Sequence, residues 1–96
     1  MHQTELERVR QARICVAIWA VAYEFFNHSW VSDAKYDEVS KEVERNLAID
    51  TDKPKLDKWY RNNFLANTGQ WVHKHPDLKY LKQRVEHMIW LKENPL

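Results

Sequence analysis

The chain has 96 residues, of which 44% are hydrophobic and 30% charged, and its formal net charge is +1. This length allows one small domain, residues 1–96, and the apolar content excludes an intrinsically disordered chain. The single glycine argues against a fold rich in β-hairpins and excludes a glycine-rich phosphate loop.

The spacing of apolar residues predicts two long helices in the first half of the chain. The first helix covers residues 4–27 and is capped by Thr4. From Ile14 to Phe26 it is apolar on nearly all sides, which is typical of a central helix. Ser32 is expected to cap a second helix, residues 33–48, whose inner stripe is Tyr36, Val39, Val43 and Leu47.

Two further helices are predicted in the second half. Pro54 opens a third helix, residues 54–65, after a polar loop. The only glycine, Gly69, marks a turn, and residues 70–75 are predicted to form a short helical turn. The final helix, residues 76–93, has an inner stripe of Leu78, Leu81, Val85, Met88 and Leu91.

These elements together predict an all-α fold with no strand. We expect a four-helix array built on a long antiparallel helical hairpin, residues 1–49. The two helices within residues 50–96 would pack on that hairpin. The longest uncharged apolar stretch, Ile14 to Tyr23, is far shorter than the roughly 20 residues that a membrane span needs, so we expect no membrane insertion.

The sequence contains no motif that is typical of a metal site or of a catalytic nucleophile. Cys15 is the only cysteine, and we expect a buried, inert thiol in a cytoplasmic protein, because the chain has no disulfide framework and no secretory signal. His73 and His75 lack the spacing of a metal motif, and we expect them to be solvent-exposed and to bind no metal. With no nucleophile motif either, we expect the chain not to be an enzyme.

Charge is distributed unevenly along the chain, and the C-terminal half is basic. Basic residues next to aromatic ones can bind phosphate and stack a nucleic-acid base. The alternative is a solvated basic face with Trp59 and Tyr60 turned inward, and we favour it, so nucleic-acid binding is only a lesser alternative. The possible basic contact face consists of Lys53, Lys55, Lys58 and Arg61.

Asp33, Tyr36 and Asp37 share one side of the second predicted helix, because they lie three and four residues apart. A phenol ring flanked by two acids can stack against a flat ring and accept hydrogen bonds from ribose hydroxyls. The alternative is structural: Asp33 would stabilise the helix start, Tyr36 would belong to the core and Asp37 would be solvated.

The segment Tyr23–Glu44 resembles the N-terminal helical subdomain of bacterial NAD-dependent DNA ligases. The pattern that carries the resemblance is Ser-Asp-Ala-Lys-Tyr-Asp-Glu-Val, residues 32–39, in which Asp33 lies ten residues after Tyr23 as in the family. The resemblance implies a site for nicotinamide mononucleotide or NAD, in which an aromatic sandwich holds the nicotinamide and carboxylates contact the sugar. The matching positions are Tyr23, Asp33, Tyr36 and Asp37.

The chain departs from that family in two respects. Glu24 follows the first tyrosine, where the family usually has His or Tyr, and an acid there is expected to repel a phosphate. No lysine motif for an adenylated intermediate is present, since Lys55-Leu56-Asp57-Lys58 lacks the glycine of that motif. The chain is therefore not expected to seal DNA alone.

Two hypotheses about function remain open. The first is a non-catalytic binding protein that retains a nicotinamide-nucleotide site at Tyr23, Glu24, Asp33, Tyr36 and Asp37. The second is a regulatory scaffold without a ligand, which binds a protein partner or forms a homodimer through exposed tryptophans. The candidates for such a contact are Trp30, Trp71 and Trp90.

Overall fold

A computed structural model describes residues 4–94 of the chain. Within that range the backbone forms four α-helices, one 3₁₀ helix and no strand, so the predicted all-α class is confirmed. None of these helices combines the length and the apolar character that crossing a membrane requires. The elements are α1 (Glu5–Phe26), α2 (Asp33–Arg45), α3 (Pro54–Asn63), the 3₁₀ helix (Gln70–Lys74) and α4 (Leu78–Glu93).

Local capping signals begin the first two helices where the sequence predicts, whereas α2 ends at Arg45, before the predicted residue 48. The hydroxyls of Thr4 and Ser32 accept hydrogen bonds from the backbone N–H groups of Glu7 and Lys35, each at 3.1 Å. α1 ends at Asn27, which adopts the left-handed region with φ 56°. Asparagine tolerates this conformation, and the chain therefore leaves the helix axis before α2.

The core lies around α1, which packs against α2, the 3₁₀ helix and α4. Val16 and Val21 of α1 are fully buried, and Val72 and Val85 meet them from the 3₁₀ helix and α4. Val43, predicted in the inner stripe of α2, is confirmed there at 2% exposed. Burying each such side chain contributes about 1.5–3 kcal/mol.

Two predicted faces differ from the structure. α1 is not surrounded on all sides, because Ile14 and Tyr23 are 54% and 61% exposed. Met88 and Leu91, predicted to face inward, are 38% and 50% exposed. In the last two turns of α4 only Ile89 is partly buried. The end of this helix therefore extends past the core, and its apolar side chains there remain exposed.

His75 is buried at 7% exposed, and the prediction that it faces solvent was wrong. Its Nδ1 accepts the backbone N–H of Asp77 at 3.0 Å, and its Nε2 lies 3.3 Å from the Tyr60 hydroxyl. That hydroxyl lies 3.2 Å from the Arg13 carbonyl, to which it donates. Burial lowers the pKa of His75, and this effect outweighs the negative charge of Asp77, which acts to raise it. The turn held by His75 also explains why α4 begins at Leu78 rather than at residue 76.

A buried ion pair joins α1 to α3. Arg13 Nη1 lies 2.6 Å from Asp57 Oδ1, and the two side chains are 4% and 1% exposed. Asp57 also accepts hydrogen bonds from the backbone N–H and the hydroxyl of Thr51, each at 2.7 Å. Burial alone raises the pKa of Asp57, but the Thr51 hydrogen bonds and the Arg13 guanidinium outweigh it and hold the pKa below 3.8.

Candidate functional site

A cleft of about 490 Å³ lies where the end of α1, the start of α2 and the loop before the 3₁₀ helix come together. Its volume is within the range of about 300–1,000 Å³ that is usual for small-molecule sites. The cleft is lined by all five residues that the sequence singled out, namely Tyr23, Glu24, Asp33, Tyr36 and Asp37. Far from this cleft, Arg8 pairs with Glu42 at 3.8 Å, so the start of each of the two helices lies beside the end of the other.

The backbone of the loop holds Tyr36 in place. The Tyr36 hydroxyl donates to the carbonyl of Thr68 at 3.2 Å, and the Thr68 hydroxyl accepts the N–H of Gln70 at 3.2 Å. Burial raises the pKa of Tyr36, while Trp71 and Ser40 near its hydroxyl act in the opposite direction. With its hydroxyl engaged, the half-buried ring of Tyr36 forms one wall of the cleft.

Tyr23 stands at the rim of the cleft. It belongs to the last turn of α1, and 61% of the residue is exposed. The sequence predicted both tyrosines, but it missed the indoles of Trp19 and Trp30, which line the same cleft. Trp19 lies one helical turn before Tyr23, and that spacing was the available signal.

Glu24 is tied to a residue that the sequence analysis did not connect with it. Its Oε1 lies 2.9 Å from Nε2 of His73, on the 3₁₀ helix. The Glu24 side chain is 19% exposed and that of His73 is 48% exposed. The His73 ring also packs against Phe25, with the ring centroids 4.6 Å apart. The partners are 49 positions apart in the sequence, so no local signal predicts this contact.

The cleft is acidic and aromatic. Asp33 and Asp37 are both exposed and lie in the first two turns of α2, and Glu24 adds a third carboxylate. Among the described residues that line the cleft, none is Lys or Arg. The ammonium of Lys92 lies 5.7 Å from the ring centroid of Trp30, where it occupies one face of that indole.

Comparisons with protein-family models, with curated proteins and with solved structures found no match to this chain. The geometry and chemistry of the cleft are therefore the grounds for a functional assignment. An open pocket with aromatic walls and carboxylates at its edge can stack a flat ring and accept hydrogen bonds from hydroxyl groups.

The possible basic contact face is only partly free. Arg61 donates to the carbonyl of Leu47 at 2.6 Å and pairs with the carboxylate of Asp50, so its guanidinium supports the loop after α2. Tyr60 is 1% exposed and Trp59 is half-buried, so both aromatics face inward, as the favoured alternative predicts. The exposed cations of this segment are Lys53, Lys55 and Lys58.

The remaining reactive side chains give no second site. Cys15 is half-buried, and burial raises the pKa of its thiol above 9.0, which keeps it protonated at neutral pH. Within residues 4–94, no group of three or more His, Cys, Asp or Glu side chains could hold a metal ion.

Proposed function

We propose that this chain is a non-catalytic binding protein whose cleft holds the nicotinamide and ribose of a nicotinamide nucleotide. The observation that carries the proposal is the convergence of Tyr23, Glu24, Asp33, Tyr36 and Asp37 on one cleft of about 490 Å³. Four of them, Tyr23, Asp33, Tyr36 and Asp37, are the positions that the resemblance to the ligase subdomain selects, and residues 14 positions apart reach the same cavity.

The chemistry of the cleft suits the two parts of such a ligand. An oxidised nicotinamide ring is flat and positively charged, and a cation over an aromatic face gains about 0.5–2 kcal/mol. Tyr23 and Tyr36 offer rings to it. The carboxylates of Asp33 and Asp37 can accept hydrogen bonds from ribose hydroxyls, and such charge-assisted bonds are stronger than neutral ones.

The proposal is tested by titrating the protein with nicotinamide mononucleotide and with NAD while backbone amide shifts are recorded. We expect shifts confined to the cleft and abolished by Asp37→Ala. The matched control is Glu44→Ala, which removes an exposed carboxylate from the same helix outside the cleft lining. The proposal is contradicted if the spectrum stays unchanged at about 1 mM of each ligand and also of nicotinamide riboside, their phosphate-free part, because a dissociation constant well above that concentration is too weak for a specific site.

A second candidate function rests on a different surface. Four large apolar or aromatic side chains on α4 are 38–59% exposed, which is typical of a contact between proteins when they are contiguous. Under this alternative the chain is a scaffold that binds a partner or a second copy. Sedimentation velocity should then show a dimer that Leu91→Lys dissociates, and a monomer at every concentration contradicts a homodimer. The side chains are Tyr80, Met88, Trp90 and Leu91.

A further inference from the structure

The cleft is acidic, and its described lining contains no basic side chain that could neutralise an anion. Glu24, Asp33 and Asp37 contribute three carboxylates, and the described lining contains no Lys or Arg. His73 approaches one of these carboxylates, that of Glu24, at 2.9 Å and so is already paired. Lys92 lies against the Trp30 ring. A phosphate brought into this cleft would lose hydration and meet like charge.

The start of α2 is also an unfavourable place for an anion. Helix N-termini attract phosphates through free backbone N–H groups and the positive end of the helix dipole. Here the Ser32 hydroxyl already accepts the N–H of Lys35 at 3.1 Å, and Asp33 places a carboxylate in the first turn. A phosphate there would compete with the Ser32 hydroxyl and would lie beside the Asp33 carboxylate.

A positive charge has the opposite prospects in the same cleft. The aromatic side chains of Trp19, Tyr23 and Tyr36 line the cleft with electron-rich rings, and the carboxylates add a favourable field. Both effects strengthen as a ligand displaces water and lowers the local dielectric constant.

Building on the nicotinamide site proposed above, we infer that the cleft selects the cationic, phosphate-free nucleoside. Nicotinamide riboside would bind in preference to its 5′-phosphate, nicotinamide mononucleotide. The two molecules share the charged ring and the ribose and differ only in the phosphate, so the comparison isolates the charge of the lining. Glu24 should contribute most to this selectivity, because its carboxylate is the least exposed of the three and is therefore the least screened by water.

The test compares three probes by calorimetry at low ionic strength: nicotinamide riboside, nicotinamide mononucleotide and reduced nicotinamide riboside, whose ring is neutral. We expect the riboside to bind about tenfold or more tightly than either of the other two. The difference between riboside and mononucleotide should narrow at high salt, because screening weakens charge repulsion. Glu24→Gln, which keeps the shape of the side chain, should also reduce the difference in affinity between the riboside and the mononucleotide. Glu44→Gln should leave that difference unchanged.

The outcomes separate this inference from the proposed function. Equal or tighter binding of the mononucleotide overturns the selectivity while leaving the nicotinamide site intact. Equal binding of the reduced riboside overturns the role of the positive ring. If Glu24→Gln leaves the ratio of the affinities for riboside and mononucleotide unchanged, Glu24 does not cause the selectivity. Failure of all three probes, and of NAD, to bind refutes the proposed function itself.

Discussion

Replacing Asp57 by Asn should strongly destabilise the protein, because it removes one charge of a buried ion pair. The substitution keeps the size of the side chain and removes its negative charge. Arg13, at 4% exposed, then holds an unpaired guanidinium charge in the interior. The two hydrogen bonds from Thr51, each at 2.7 Å, also lose their charged acceptor.

The expected loss is about 3–5 kcal/mol, which is the usual result of removing one partner of a buried ion pair. Domains of this size have a total stability of about 5–15 kcal/mol, so the variant should be close to unfolding. At about 4–8 °C for each kcal/mol, the midpoint of thermal unfolding should fall by about 12–40 °C. Urea titration followed by tryptophan fluorescence and circular dichroism measures the change.

The control is an exposed pair that also joins α1 to the segment before α3. Arg10 and Asp52 lie 2.9 Å apart, with side chains 39% and 64% exposed. Asp52→Asn should cost less than about 1 kcal/mol, because water already screens that pair. A double replacement by apolar residues, Arg13→Met with Asp57→Leu, should lose less than Asp57→Asn alone. If Asp57→Asn costs no more than Asp52→Asn, the buried pair does not have the role assigned to it.

Three further predictions concern stability. Burial lowers the pKa of His75 from 6.5, so below about pH 6.5 the unfolded chain binds more protons than the folded one. The free energy of unfolding should therefore decrease as the pH is lowered. Urea titrations from about pH 7.5 to about pH 5 should show this slope, and His75→Asn should flatten it. Val43→Asp should unfold the domain, since it buries a charge at a cost of several kcal/mol. Lys41→Asp, on the exposed side of the same helix, should leave the domain folded. A dispersed amide spectrum of the Val43→Asp variant would contradict the inward orientation of Val43. Asp37→Asn should change the free energy of unfolding by less than about 0.5 kcal/mol, because Asp37 is exposed, and a large loss would make it structural.

Signals within a few residues predicted much of the fold. Thr4 and Ser32 are good caps, and each begins its helix as expected. The spacing of three and four residues places Asp33, Tyr36 and Asp37 on one side of α2, and the structure brings them to one cleft. Helix existence and the grouping of neighbours on one face depend on local geometry, which the order of residues contains.

Contacts between distant segments could not be predicted in this way. Arg13 and Asp57 are 44 residues apart, and on sequence spacing each could equally be a solvated surface charge. The burial of His75 depends on packing against aromatic rings from α3. Such partnerships arise only when whole helices dock, and no spacing rule along one helix describes them.

Part of the cleft lining, residues 67–70, belongs to the last third of the chain. The Thr68 carbonyl fixes Tyr36, and His73 holds Glu24, so the cleft is complete only after the 3₁₀ helix has docked on α1 and α2. Occupancy and global stability are therefore thermodynamically linked: any molecule that prefers the assembled cleft must raise the melting temperature in proportion to the logarithm of its concentration. The same linkage predicts that the isolated N-terminal half would bind such a molecule poorly, and it makes the melting temperature of the whole protein a direct measure of whether the cleft is occupied.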